Sequence, residues 1–262
     1  MKTGRLMAGL VITGTVAIGS VTTRADDERQ NNACRDLPSH SALRDALSAA
    51  QGLANGGFGL EMWATVVNRD GIVCAVAFTG GNRGDQWPGS RVISAQKANT
   101  ANAFSLPGLA LSTANLYSAV QPGGTLFGLQ ESNPVNTSVA YGGNASAFGR
   151  SNDPMVGGRI GGINVFGGGL ALYTSDGTLV GGVGVSGDSS CADHNIAWRV
   201  RNTLELDYVP SGVSGDTDRP DNIVYDIAAQ AGQMPGVSAK GWGHPECGAS
   251  ATKIAGELPH TR

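Results

Sequence analysis

Residues 161–201 read GGINVFGGGLALYTSDGTLVGGVGVSGDSSCADHNIAWRVR, and this stretch writes strand, turn, strand and helix start in one run. Two apolar, Gly-studded segments flank Ser175-Asp176-Gly177, where Gly supplies the positive φ of a tight hairpin. The second segment ends in Ser186-Gly187-Asp188, followed by a polar stretch in which Ser190 and Asp193 are the N-cap candidates. They precede the helical pattern of Ile196, Ala197, Val200 and Leu204. A strand leading into a helix N-terminus makes this mouth the first place to expect function.

Working outward, Ser39 caps a predicted helix to about Gly52, whose Leu43, Ala46, Leu47 and Ala50 form one apolar stripe. Met62 to Asn68 and Ile72 to Phe78 read as strands joined at Asp70-Gly71, a second hairpin. Another helix, from about Ser90 to Phe104, presents the small residues Ala95, Ala98 and Ala101. Helix, hairpin, helix, hairpin, helix is an α+β pattern in which helices cover an antiparallel sheet. Residues 132–159, rich in Asn, Gly, Ser and Pro, read as a long surface insertion: a solvated loop, a subunit contact or a lid.

Lys97-Ala98, Thr100-Ala101, Gly168-Gly169, Asp176-Gly177, Gly184, Ser186-Gly187, Asp193 and Ile196-Ala197 together resemble the GlcG/HbpS-like, or haem-degrading domain, family. The resemblance runs from about residue 39 to 208. It departs at Thr79 to Asp85, where the family carries an Arg-x-Asp-Gly element, and in the longer segment before the Gly-rich hairpin. It implies a profilin-like two-layer domain, a tendency to form homo-oligomers, and an association with haem. The domain is then expected over 26–208, with residues 209–262 as a C-terminal extension packed on it.

Residues 1–25 read as an export signal: Lys2 and Arg5, an apolar stretch from Leu6 to Val21, and small residues at the Thr23-Arg24-Ala25 site. The stretch is too short and too dilute for a stable membrane anchor. Loss of these residues leaves 15 basic against 21 acidic residues, a net charge of −6. With no basic stripe, that balance excludes a nucleic-acid partner. Four cysteines in an exported chain favour two disulfides over metal ligation. If the first helix packs antiparallel to the first strand, Cys34 and Cys74 become neighbours. Cys191 and Cys247 then pair by elimination.

Gly182 to Gly187 fits G-x-G-x-x-G, but it lies inside a hairpin strand, so the glycines read as close-packing positions rather than a dinucleotide loop. Cys191, Asp193 and His194 crowd three metal-ligand types together, yet a bridged cysteine is the better reading of Cys191. Ser186, Gly187 and the following turn form a candidate anion nest for a carboxylate or haem propionate beside Asp193. The competing reading is a simple helix cap. His194, in the first helical turn, is the first candidate for haem iron and His40 the second; the competing reading of His194 is a merely solvent-facing residue. These readings point to a secreted or periplasmic haem or tetrapyrrole binding protein for capture, sensing or detoxification. The alternatives are an oxidative haem-degrading enzyme and a cofactor-free oligomeric accessory protein.

Overall fold

Ser39 opens the first helix, α1 (His40–Gln51), by accepting the Ala42 amide on its hydroxyl at 3.2 Å. Leu43, Ala46, Leu47 and Ala50 are buried along one side of it. The chain then forms β1 (Trp63–Asn68) and β2 (Val73–Phe78), turning through Gly71 at φ 73°. Next come α2 (Ser90–Phe104), the single-turn α3 (Thr137–Ala140), and the second hairpin, β3 (Gly169–Tyr173) and β4 (Leu179–Ser186). Helix α4 (Ser190–Thr203), the hairpin β5 (Ile227–Gln230) and β6 (Gln233–Ser238), and α5 (Ala249–Gly256) complete the order. The computed structural model describes Met1 and residues 33–230 and 233–262. The expected export signal and its Thr23-Arg24-Ala25 site lie outside the described residues.

The two long hairpins lie side by side in one antiparallel sheet, order β2-β1-β4-β3, with Thr65 opposite Gly184 at its centre. Every residue of β1 and β3 is buried, so both faces of the sheet must be covered. One face carries Ala64, Val66, Leu170, Leu172, Val183 and Val185 into a core shared with α1, α4 and α5. The other carries Trp63, Val67, Val73 and Val76 against α2 and the segment around Ala140 and Met155. The α+β class with helices on an antiparallel sheet is the one expected.

Glycines in β4 set how closely α2 approaches. A Cβ on Gly184 would lie 2.0 Å from the Ser94 carbonyl oxygen, and one on Gly182 would lie 2.4 Å from that of Ala98. The G-x-G run is therefore a seat for a helix backbone. Thr65 and Ser94 seal the contact with a buried hydroxyl–hydroxyl hydrogen bond of 2.8 Å.

Residues 132–159 are not a solvated loop. Ala140 and Met155 are fully buried, and the Asp153 carboxylate is paired with Arg91 of α2 beneath the surface. Cys34 is bonded to Cys74, tying the approach to α1 onto β2, and Cys191 to Cys247, tying α4 to the C-terminal segment. Their Cα separations are 5.6 and 6.0 Å. Among the described residues, no helix is long and apolar enough to cross a membrane.

Candidate functional site

At the mouth of α4 the cap is Ser189, whose hydroxyl accepts the Ala192 amide, rather than Ser190 or Asp193. Asp193 instead turns inward. Its Oδ2 accepts from Lys97 Nζ at 2.7 Å and its Oδ1 from the Asp188 amide at 2.9 Å, while Lys97 also donates to the Val185 carbonyl. Burial drives both members of this pair toward their neutral forms. Lys97 is lowered from its ordinary value and Asp193 is pushed up to about 6, each shift opposed by the partner's charge. The expected anion nest is filled from within the chain, since the Asp188 carboxylate accepts the amides of Phe58, Leu60 and Ser189. Ser186 and Gly187 are buried beside it.

His194 departs most from the sequence reading, because it is 0% exposed rather than solvent-facing. Asn222 is oriented by donating its side-chain amide to the Ala255 carbonyl, so its Oδ1 faces His194 Nε2 at 3.1 Å. The Ile223 amide donates toward the same Nε2 at 3.2 Å and to Asn222 Oδ1 at 2.9 Å, and Nδ1 is buried with no hydrogen-bond partner among the described residues. Burial lowers His194 to about 4. A ligand as large as haem reaches this ring only if the mouth of α4 opens.

Beside it, His244 Nδ1 donates to the Pro245 carbonyl at 2.7 Å, which leaves Nε2 to accept from Ser190 Oγ at 2.7 Å. Burial lowers His244 to about 4 as well. Its ring lies close to Cys191 and Cys247, but both sulfurs are committed to their disulfide. Arg201 and Asp221 form a fully buried two-pronged pair at 2.6 and 2.8 Å. The whole seam locks residues 221, 222 and 244 onto α4. Chemically it holds protons and positions the C-terminal segment.

An open site lies elsewhere, where the start of β1, the start of α2 and the segment after α3 meet. A groove of about 300 Å³ is walled by Trp63, Val92, Tyr141 and Phe148, with Arg83 at its rim. A second hollow of about 230 Å³ shares Arg83 and Phe148 with it and adds Phe78 and Arg150. Together they fall within the range of ligand pockets, roughly 300–1,000 Å³. The walls are rigidly held. Arg91 stacks 3.6 Å above the Phe148 ring, donates to the Ala140 carbonyl at 2.8 Å and grips Asp153 with two further nitrogens. His40 Nε2 lies 2.9 Å from the Gly149 carbonyl, behind that wall.

Two polar side chains stand out among the residues that line the groove. Trp63 is 2% exposed, yet its indole Nε1 has no hydrogen-bond partner among the described residues. Arg83 is exposed and holds no ion pair among them. Sequence reasoning missed Trp63, Arg83, Tyr141 and Phe148. The one available signal was a pair of aromatics, Tyr141 and Phe148, inside a polar Gly- and Asn-rich segment where a solvated loop has no use for them. Of the expected residues, the structure brings Ser186, Gly187, Asp193 and His194 together at α4 and places His40 apart from them, near the groove.

Compared with curated proteins, the chain has no match. Among solved structures, a PduOC–haem complex is similar at 23% identity and a TM-score of 0.44, over 63% of this chain and 91% of that one. The Klebsiella pneumoniae protein ORFY is similar at 20% identity and 0.41, over 76% and 97%. HbpS is similar at 19% and 0.39, over 64% and 89%. A family model described as haem-degrading protein HbpS-like matches residues 39–201, more than half of the 262 residues, and the chain belongs to that HbpS-like family.

Proposed function

We propose that this chain is an exported haem or tetrapyrrole binding protein that acts in capture, sensing or detoxification. The observation that carries the reading is the groove: aromatic walls and an exposed arginine at the rim that holds no ion pair among the described residues, in a member of a haem-associated family. Its residues suit the task by type. Phe148 and Tyr141 offer flat apolar surface to a macrocycle, Arg83 and Arg150 offer guanidinium groups to its carboxylates, and the wall held by Arg91 and Asp153 keeps water off one side. When bound, haem supplies a redox-active iron. The two disulfides suit an oxidising compartment outside the cytoplasm.

Titration of the mature protein with ferric haem, followed at the Soret band, tests this reading. A saturable shift with a stoichiometric end point is expected. A spectrum identical to free haem at every ratio overturns it and favours a cofactor-free accessory role. The family's description also favours a second reading, oxidative haem degradation. Irreversible loss of the Soret band on adding a reductant under oxygen separates turnover from binding.

A further inference from the structure

Four histidines are present, and none of them lines the groove. His194 and His244 are buried and hydrogen-bonded within the seam at α4. His40 spends its Nε2 on the Gly149 carbonyl, and His260 lies 3.8 Å from Asp218 in the C-terminal segment. The groove wall does contain another side chain able to bind ferric iron. Tyr141 lines it and is 65% exposed, although its backbone is firmly held. Asn136 caps α3 by accepting the amides of Ser138 and Val139. The Tyr141 amide donates to the Thr137 carbonyl at 3.1 Å, and the carbonyl just before it, on Ala140, is gripped by the buried Arg91.

The exposed Tyr141 ring stands directly after an anchored single-turn helix on the wall of the groove, where a bound ligand would cover it. A phenol is also one of the few protein groups that ligate haem iron through oxygen. We infer that Tyr141 is the iron-ligating residue of this groove, with Arg83 pairing a carboxylate of the bound macrocycle. The inference rests on the haem reading above. It moves the site away from every histidine and places it on the segment following α3. Ligation deprotonates the phenol, whose proton leaves to solvent, and the resulting phenolate donates its oxygen to the ferric ion without any change of oxidation state. An anionic oxygen ligand favours ferric over ferrous iron, so reduction is expected to weaken binding.

The experiment uses the mature chain with its disulfides intact, titrated with ferric haem and, separately, with metal-free protoporphyrin. Wild type is expected to show the phenolate-to-iron charge-transfer band and phenolate modes in resonance Raman spectra. Tyr141→Phe should lose both signatures and bind ferric haem at least ~10-fold more weakly, while binding metal-free protoporphyrin as wild type does. Arg83→Ala should weaken both ligands by roughly 10-fold, the scale of one charge-assisted hydrogen bond, without altering the spectrum. His40→Ala should change neither. Since Tyr141 and Arg83 are exposed, circular dichroism and the unfolding midpoint of both variants should match wild type. A Tyr141→Phe protein with the wild-type spectrum and affinity overturns the ligand assignment. Full binding in the Tyr141→Phe, Arg83→Ala double variant overturns the groove while leaving the haem reading intact. Absence of any Soret change in wild type overturns that reading itself.

Discussion

His194 offers the sharpest test of the structure, because the sequence treats it as an exposed first-turn residue and the fold buries it completely. Replacing it by Gln keeps a polar side-chain amide close to the position of Nε2 and removes the titration. The folded ring is lowered from its ordinary 6.5 to about 4, chiefly by burial. The unfolded chain therefore takes up a proton that the folded chain refuses as pH falls from 6.5 to 4. Stability from this group is fully present above about pH 6.5 and is lost across that window. A difference of about 2.5 pK units at 1.36 kcal/mol each corresponds to about 3 kcal/mol.

Other groups act in the same range. His244, also lowered to about 4, adds a loss of the same sign. Asp193, raised to about 6, acts oppositely, since its folded form holds a proton that the unfolded chain releases down to 3.8. The diagnostic is consequently the gap between wild type and His194→Gln, not either curve alone. Urea unfolding followed by tryptophan fluorescence is suitable, with the Trp198 ring only 5.9 Å from the imidazole. The variant should be less stable than wild type by ~1–3 kcal/mol at pH 7. That gap should shrink by about 2–3 kcal/mol by about pH 4.5. A gap that stays constant with pH refutes the buried neutral imidazole, and a variant as stable as wild type at pH 7 returns His194 to the surface.

Arg91→Ala should strand the buried Asp153 carboxylate and cost ~3–5 kcal/mol in urea unfolding, loosening the groove wall at the same time. Gly184→Ala forces a Cβ to within 2.0 Å of the Ser94 carbonyl oxygen, so a lower thermal midpoint by the equivalent of ~1–3 kcal/mol is expected. Peptide mapping without reduction should recover the 34–74 and 191–247 linkages, and the Cys34→Ala, Cys74→Ala double variant should lose ~2–4 kcal/mol. Intact-mass measurement of secreted protein should give a chain beginning near Asp26, and full-length chain in the cytoplasm would contradict the export reading.

Short-range physics made much of the fold readable from the chain alone. The stripe Leu43, Ala46, Leu47, Ala50 and the cap at Ser39 define α1 within a few residues. Gly71 and Gly177 mark both long hairpins through the positive φ their turns require. The glycines of β4 announce a close approach, though not by which element. What only the tertiary structure decided is which distant stretches meet. The pairing of β1 with β4 sets two hairpins edge to edge across more than a hundred residues. Residues 221, 222 and 244 return to cover the mouth of α4, so that His194 finds Asn222 instead of solvent, while Asp193 is taken by Lys97 of α2. The groove draws Trp63, Arg83 and Tyr141 from three separate segments, none carrying a local motif. Burial and proximity at such separations depend on how layers stack, and no periodicity of 2 or 3.6 residues encodes that.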